Sequence, residues 1–174
     1  LQTWAISGNS GQSTMTIRVL FVCHGNICRS TMAQFVFQHL INQLGCQEDL
    51  LIDSRATSSE EIGNGPHRGT LHRLRQAGIP ALPHRASRIT RDDYKNADMI
   101  IGMDEANIRN LMRMLDGDPE GKVHKLLSFA GSDRDIADPW YTGDFDETFN
   151  DVLEGCQGLI AFFRRLGLIR TQAV

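Results

Sequence analysis

Of the four cysteines Cys23, Cys28, Cys46 and Cys156, only Cys23 has an arginine six residues on; the others have Gln34, Ile52 and Phe162 there. The stretch is Cys23-His24-Gly25-Asn26-Ile27-Cys28-Arg29-Ser30, and it follows the apolar run Val19-Leu20-Phe21-Val22. Gly25 and Asn26 tolerate backbone conformations that other residues avoid. A loop built on them can turn several N–H groups inward as an anion nest. The start of a following helix would add partial positive charge, and Arg29 can bind two oxygens of a tetrahedral oxyanion. Such a setting favours the thiolate of Cys23, the nucleophilic form. It could attack phosphorus in line while the N–H groups and Arg29 hold the equatorial oxygens. The bland alternative is a buried structural cysteine before an ordinary helix, but packing gives no reason for Gly-Asn before Ile-Cys-Arg-Ser.

A leaving group needs a proton. Asp138, in Asp138-Pro139-Trp140-Tyr141, is the best candidate for a general acid that then serves as base for an attacking water. Trp140 and Tyr141 could wall a pocket and stack on an aromatic ring. An Asp-Pro turn with two aromatics covering the core fits the same residues, and spacing does not separate the two.

The elements that would position these groups alternate. Ile17 to Val22 reads as a buried strand. From Ser30 to Leu44 the apolar residues recur at helical spacing, and Gly45 is a natural stop. Leu50 to Ser54 is a second strand, 55–67 a loop, and Gly69 to Ala77 a helix. Thr90 has an N-cap signature for a short helix to about Lys95. Ala97 to Gly102 is a third strand, and Asp104 caps a helix stopped near Asp116-Gly117. Val123 to Phe129 is a fourth strand, and 130–144 a long loop. Asp144 and Glu147 have capping-box spacing for a last helix, which Gly167 ends. The expected fold is therefore single-domain, doubly wound α/β, a four-stranded parallel sheet with helices on both faces. Ligands in such sheets sit at the carboxyl ends of the strands, where the loop after the first strand begins.

Composition sets the bounds. The sequence has 174 residues, 41% hydrophobic and 22% charged, with a net charge of −3. That excludes a strong global pull toward nucleic acid or anionic membrane, and no run is long enough to span a bilayer. Four scattered cysteines favour a reducing cytoplasm over a disulfide scaffold. Residues 55–95 hold eight basic against four acidic residues, and 96–151 hold five against thirteen. Solvated helix faces explain this asymmetry; a basic segment beside the anion site is the sharper reading. Residues 1–14 are uncharged and rich in Gly, Ser and Gln. They read as a processed or appended tail before a domain over 15–174, with Met15 a natural start.

The Cys23–Ser30 string together with Asp138-Pro139-Trp140-Tyr141 resembles the low-molecular-weight protein tyrosine phosphatase family, from about Met15 to Gly167. The resemblance implies a phosphotyrosine-phosphatase I-like fold and hydrolysis of phosphotyrosine and small aryl phosphates through a phosphocysteine. It makes Cys23 the nucleophile, Arg29 the phosphate ligand and Asp138 the general acid and base. His24, Gly25, Asn26, Ile27, Cys28, Ser30, Glu60, Trp140 and Tyr141 become the substrate-binding set. It carries over Ser54 and His84 as supports that, with Asn26 and Ser30, hold the loop in shape. Cys28 is implied as a partner that could capture an oxidised Cys23 in a reversible disulfide. A small buried side chain at the helix start is the other reading. No metal or cofactor is implied. The expected partners are a phosphotyrosine protein and inorganic phosphate or a similar oxyanion. No nucleic acid or membrane is expected, and the protein is taken as a monomer, with a weak dimer the alternative.

Three positions depart from the pattern. His24 stands where an aliphatic residue or Thr is usual, and Thr31 where Pro is common. Glu60 occupies a position that often carries a pocket-lining Trp or Tyr. Two other activities share the scaffold. A thioredoxin-coupled arsenate reductase needs further cysteines that pass a disulfide outward, and Cys46 and Cys156 make no nearby resolving pair. Arginine phosphatases tend to carry Thr where this chain has Ile27, which closes the space a guanidine-bound phosphate would favour.

Overall fold

The computed structural model describes residues 16–170; the tail expected over 1–14 lies outside them. Strand β1 (Ile17–Cys23) has side chains that alternate between two apolar layers. Ile17, Val19, Phe21 and Cys23 face one cluster and Leu20 and Val22 the other, as the two-residue period of a strand buried on both faces requires. It pairs in parallel with β2 (Leu50–Ala56) on one side and β3 (Met99–Gly102) on the other. Strand β4 (Val123–Lys125) extends the sheet beyond β3, giving the order β2-β1-β3-β4.

Helices α1 (Arg29–Leu44) and α6 (Phe145–Arg165) contribute to the larger cluster. Phe21 meets Phe37 edge-on at 5.7 Å, and Phe37 lies 6.2 Å from Phe163. Leu74 of α2 (Arg68–Gln76) joins the same cluster. On the opposite face Tyr94 of α3 (Arg91–Asn96) and Leu111 of α4 (Glu105–Met114) pack on Leu20, Val22 and Ile100. The sheet changes its winding direction between β1 and β3, which is where an open α/β sheet offers a crevice. The loops after both strands open there.

Two expectations change. The fourth strand stops at Lys125, and Leu126–Ala130 form a 3-10 turn. The cause lies in α6: a Cβ on Gly155 would stand 2.5 Å from Leu126, and one on Gly158 2.5 Å from the Phe129 carbonyl oxygen. These glycines let the segment press onto the helix, so its apolar residues are buried by α6. The long loop over 130–144 also contains a short helix, α5 (Pro139–Thr142), with Asp138 as its N-cap. Asp144 caps α6 through the Glu147 N–H at 2.9 Å.

Three of the eight basic residues of the 55–95 segment are engaged in ion pairs. Arg55 bridges Asp53 and Asp93 at 2.8 and 3.2 Å, Arg73 meets Asp146 at 2.7 Å, and Arg91 meets Asp116 at 3.4 Å.

Candidate active site

The loop from Cys23 to Arg29 leaves β1 at its carboxyl end and enters α1. Its carbonyls are turned outward and tied down. That of Cys23 accepts from the Thr57 N–H at 3.0 Å, and that of His24 from the Ser58 N–H at 3.0 Å. The Asn26 carbonyl lies 2.9 Å from His84 Nε2, which must therefore carry the proton. The Ile27 carbonyl accepts from the His67 N–H at 2.8 Å, and that of Cys28 from Thr70 Oγ1 at 3.2 Å. A trans peptide holds its N–H opposite its C=O. Carbonyls fixed outward thus turn the following N–H groups inward, into a ring over Cys23.

Asn26 holds the ring in shape. Its φ of 58° is the left-handed conformation that Asn tolerates better than most residues. Its two amide protons go to Ser30 Oγ at 2.8 Å and Ser54 Oγ at 2.9 Å, and its Oδ1 accepts from the Ser87 N–H at 3.1 Å. Both serines therefore direct their own hydrogens elsewhere. Ser54 donates to Gln34 Oε1. Cys23 Sγ lies 3.1 Å from Ser30 Oγ, the thiol donating to the hydroxyl and the hydroxyl able to donate in return once the thiol is a thiolate, and the Asn26 N–H also reaches that sulfur at 3.3 Å. As a thiolate the Cys23 sulfur thus has two donors within reach.

Helix α1 starts with Cys28 as N-cap, without a side-chain cap and without an acid in its first turn. No acid of its own first turn offsets the positive end of its dipole, at the end of the thiol loop. Thr31 takes a use that proline could not: its hydroxyl donates to the Ile27 and Cys28 carbonyls at 2.9 and 3.0 Å.

Arg29 is buried, its side chain 3% exposed. One terminal nitrogen donates to Asp104 Oδ2 at 2.6 Å and to the Ile136 carbonyl at 2.9 Å. The other reaches Asp138 Oδ2 at 3.3 Å. Burial works against the guanidinium charge, but the Cys23 sulfur, Asp104 and Asp138 outweigh it and hold the pKa above its ordinary value. Asp138 Oδ1 accepts from the Trp140 N–H at 3.1 Å, which fixes the carboxylate at the N-terminus of α5. Trp140 and Tyr141 are 58% and 84% exposed. They do not cover the core, which removes that reading of the Asp-Pro segment.

His24 and Glu60 meet at the rim, Nε2 to Oε2 at 3.0 Å, both well exposed. Ile27 is buried with Cys28 and Ala86. Burial first, then the nearby Cys23 sulfur and Asp138, push the Cys28 thiol up to about 12. Burial also raises the thiols of Cys46 and Cys156.

Asp104, His67 and Gln34 were not singled out as site residues from the sequence. Asp104 was legible only as a helix cap. Its place directly after β3, beside the loop that follows β1, is the signal that could have found it.

A sequence model of the family described as low molecular weight phosphotyrosine protein phosphatase matches residues 18–167. The chain belongs to that family. Low molecular weight protein-tyrosine-phosphatase YfkJ of Bacillus subtilis is 38% identical over 151 residues, 86% of this chain and 97% of the relative. Its crystal structure superposes with a TM-score of 0.84 at 37% identity, covering 90% of this chain and 99% of that one. The human low molecular weight phosphotyrosine protein phosphatase is 39% identical over 144 residues, 81% of this chain and 89% of the relative. A drosophila arginine phosphatase, DARP, superposes with a TM-score of 0.79 at 29% identity, covering 85% of this chain and 98% of that one. In this chain His24 of the thiol loop meets Glu60. Among the described residues no helix is long and apolar enough to cross a membrane.

Proposed function

We propose that the protein is a protein-tyrosine phosphatase that hydrolyses phosphotyrosine and small aryl phosphates through a phosphocysteine. One observation carries the reading: Arg29 and Asp138, 109 residues apart in sequence, meet at 3.3 Å beside the Cys23 loop. On this reading a phosphate ligand and an acid meet beside the nucleophile's loop.

In the first step the Cys23 thiolate attacks phosphorus. The S–P bond forms as the bond from phosphorus to the ester oxygen breaks, and Asp138 gives that oxygen its proton. The inward N–H groups and Arg29 hold the three equatorial oxygens as charge shifts among them. The departing Cys23 is stabilised in the second step by Ser30 and the Asn26 N–H. Water attacks phosphorus, the S–P bond breaks, Asp138 takes the water's proton, and inorganic phosphate leaves. Trp140 and Tyr141 form one wall for the substrate ring, and His24 with Glu60 the opposite rim. The four unpaired thiols suit a reducing compartment such as the cytoplasm.

Thioredoxin-coupled arsenate reduction is disfavoured, because Cys46 and Cys156 are buried thiols whose burial disfavours the thiolate. Phosphoarginine is the competing substrate, and buried Ile27 argues against it. Steady-state hydrolysis of phosphotyrosine peptides, an aryl phosphate and phosphoarginine tests the proposal. Phosphotyrosine is expected to be preferred, with activity lost in Cys23→Ser and the pH profile altered in Asp138→Asn. A preference for phosphoarginine overturns the substrate assignment.

A further inference from the structure

His67 belongs to neither the thiol loop nor the acid loop, yet it touches both, the first through its backbone and the second through its ring. Its backbone N–H donates to the Ile27 carbonyl at 2.8 Å. Its Nδ1 accepts from the Gly69 N–H at 2.9 Å and so caps α2. The imidazole stacks on Phe145 with centroids 5.2 Å apart and planes 20° apart. The same imidazole meets the Trp140 ring edge-on at 5.8 Å and 80°. Gly69 makes this wedge possible, because a Cβ there would stand 2.4 Å from the Phe145 ring.

Trp140 is more than half exposed. An indole on a short surface helix has several open rotamers unless a neighbour selects one. Among the described residues, the ring that meets it is His67. An edge-to-face contact has a preferred geometry and so fixes direction as well as proximity. His67 is itself fixed, by the cap at one edge, by Phe145 on one face and by its own N–H to the thiol loop.

We propose that His67 is a positioning residue that sets the Trp140 ring relative to the Cys23 loop, and thereby gives the enzyme its preference for aryl over alkyl phosphates. The proposal rests on the reading of Trp140 as a wall of the substrate pocket. A Trp held at fixed distance from the bound phosphate presents its face where the ring of an aryl ester must lie, and an alkyl ester makes little use of it. The residue acts on ring binding and not on bond-making.

The backbone N–H of residue 67 survives any replacement except proline, so side-chain variants test the ring alone. His67→Asn keeps a capping acceptor and removes the ring. His67→Phe keeps the ring and removes the acceptor. KM and kcat are measured for p-nitrophenyl phosphate and n-butyl phosphate, with inhibition by inorganic phosphate, in these variants, in Trp140→Ala and in the double variant with His67→Asn. His67→Asn is expected to raise KM for the aryl ester about threefold, with the effect on KM and not on kcat. Alkyl turnover and phosphate inhibition are expected to hold. His67→Phe is expected to keep the aryl preference while melting lower, and the effect of His67→Asn is expected to vanish once Trp140 is Ala. Equal effects on both esters, no effect, or an undiminished effect without Trp140 overturn the inference. If His67→Asn does not fold, His67→Asp makes the same comparison. Loss of aryl preference in Trp140→Ala but not in His67→Asn removes the role of His67 alone. Unchanged preference in Trp140→Ala removes the pocket-wall reading beneath it.

Discussion

Asp104 serves two masters at once: its Oδ2 holds Arg29 at 2.6 Å while its Oδ1 caps α4 through the Asn107 N–H at 2.7 Å. The phosphate ligand is therefore braced by the helix that follows β3, on the other side of the sheet's switch point. With that nitrogen also donating to the Ile136 carbonyl, the guanidinium cannot swing away from the thiol loop.

Asp104→Ala removes both functions. It leaves the Arg29 charge buried with one partner fewer and exposes the first turn of α4. A loss of about 3 kcal/mol in unfolding free energy is expected, with a raised KM for aryl phosphate. Denaturant melts and steady-state kinetics measure the two. Unchanged stability and KM would show that the Arg29–Asp104 pair does not brace the site.

Asn26 combines a backbone role and a side-chain role that two variants separate. Asn26→Gly keeps the left-handed conformation, whereas Asn26→Ala adds strain of roughly 1–2 kcal/mol. Both lose the amide protons that orient Ser30 and Ser54. We expect kcat to fall at least about tenfold in both, consistent with loss of an oriented donor to the Cys23 sulfur. Both should lose stability with these buried hydrogen bonds, and Asn26→Ala should lose more, by its backbone strain. Full kcat in Asn26→Gly would contradict the proposed hydroxyl orientation.

The rim pair is exposed, so its contribution to stability is small. Glu60→Gln is expected to leave the melting temperature within error. Removing that negative charge should lower KM for a dianionic aryl phosphate about twofold at low ionic strength, and the gain should shrink as salt is raised. A KM that does not respond, or a gain independent of salt, would place Glu60 outside the field felt by the substrate.

Alkaline stability follows from buried neutral groups. Burial is the leading cause that pushes the Cys28 thiol and the Tyr94 hydroxyl up to about 12 each, and it raises Cys156 as well. The native state keeps protons that the unfolded chain releases above an ordinary thiol value of about 8.5. The stabilisation is thus complete below that pH and is lost as pH rises toward the folded values. Melting temperatures from pH 7 to 11 should fall above about pH 8.5, and Cys28→Ser should flatten the decline. A flat profile in the parent protein would refute this.

The thiol loop and its flanking strand and helix were legible because their signals are local. An apolar strand, a Gly-Asn turn and a cysteine and arginine six apart lie within a dozen residues. Asp138 was legible as a candidate general acid, but its meeting with Arg29, which spans 109 positions, was not. Asp104, at a separation of 75, and His67 were hidden for the same reason. A capping aspartate and a loop histidine look ordinary until the sheet order brings them beside the loop. The over-long fourth strand has a different cause. Leu126 to Phe129 is an apolar run that periodicity cannot assign, and the glycines of α6 that decide its shape lie some thirty residues away.

In the proposed reaction phosphate passes through Cys23. Rapid acid quench during turnover of p-nitrophenyl phosphate, followed by mass spectrometry of the peptide containing residues 23–29, tests it directly. The predicted result is a phosphate adduct on the Cys23 sulfur that forms within one turnover, decays with release of inorganic phosphate and is absent together with turnover in Cys23→Ala. Sustained hydrolysis by Cys23→Ala, or turnover by the parent enzyme with no adduct on Cys23 at any time, would contradict it.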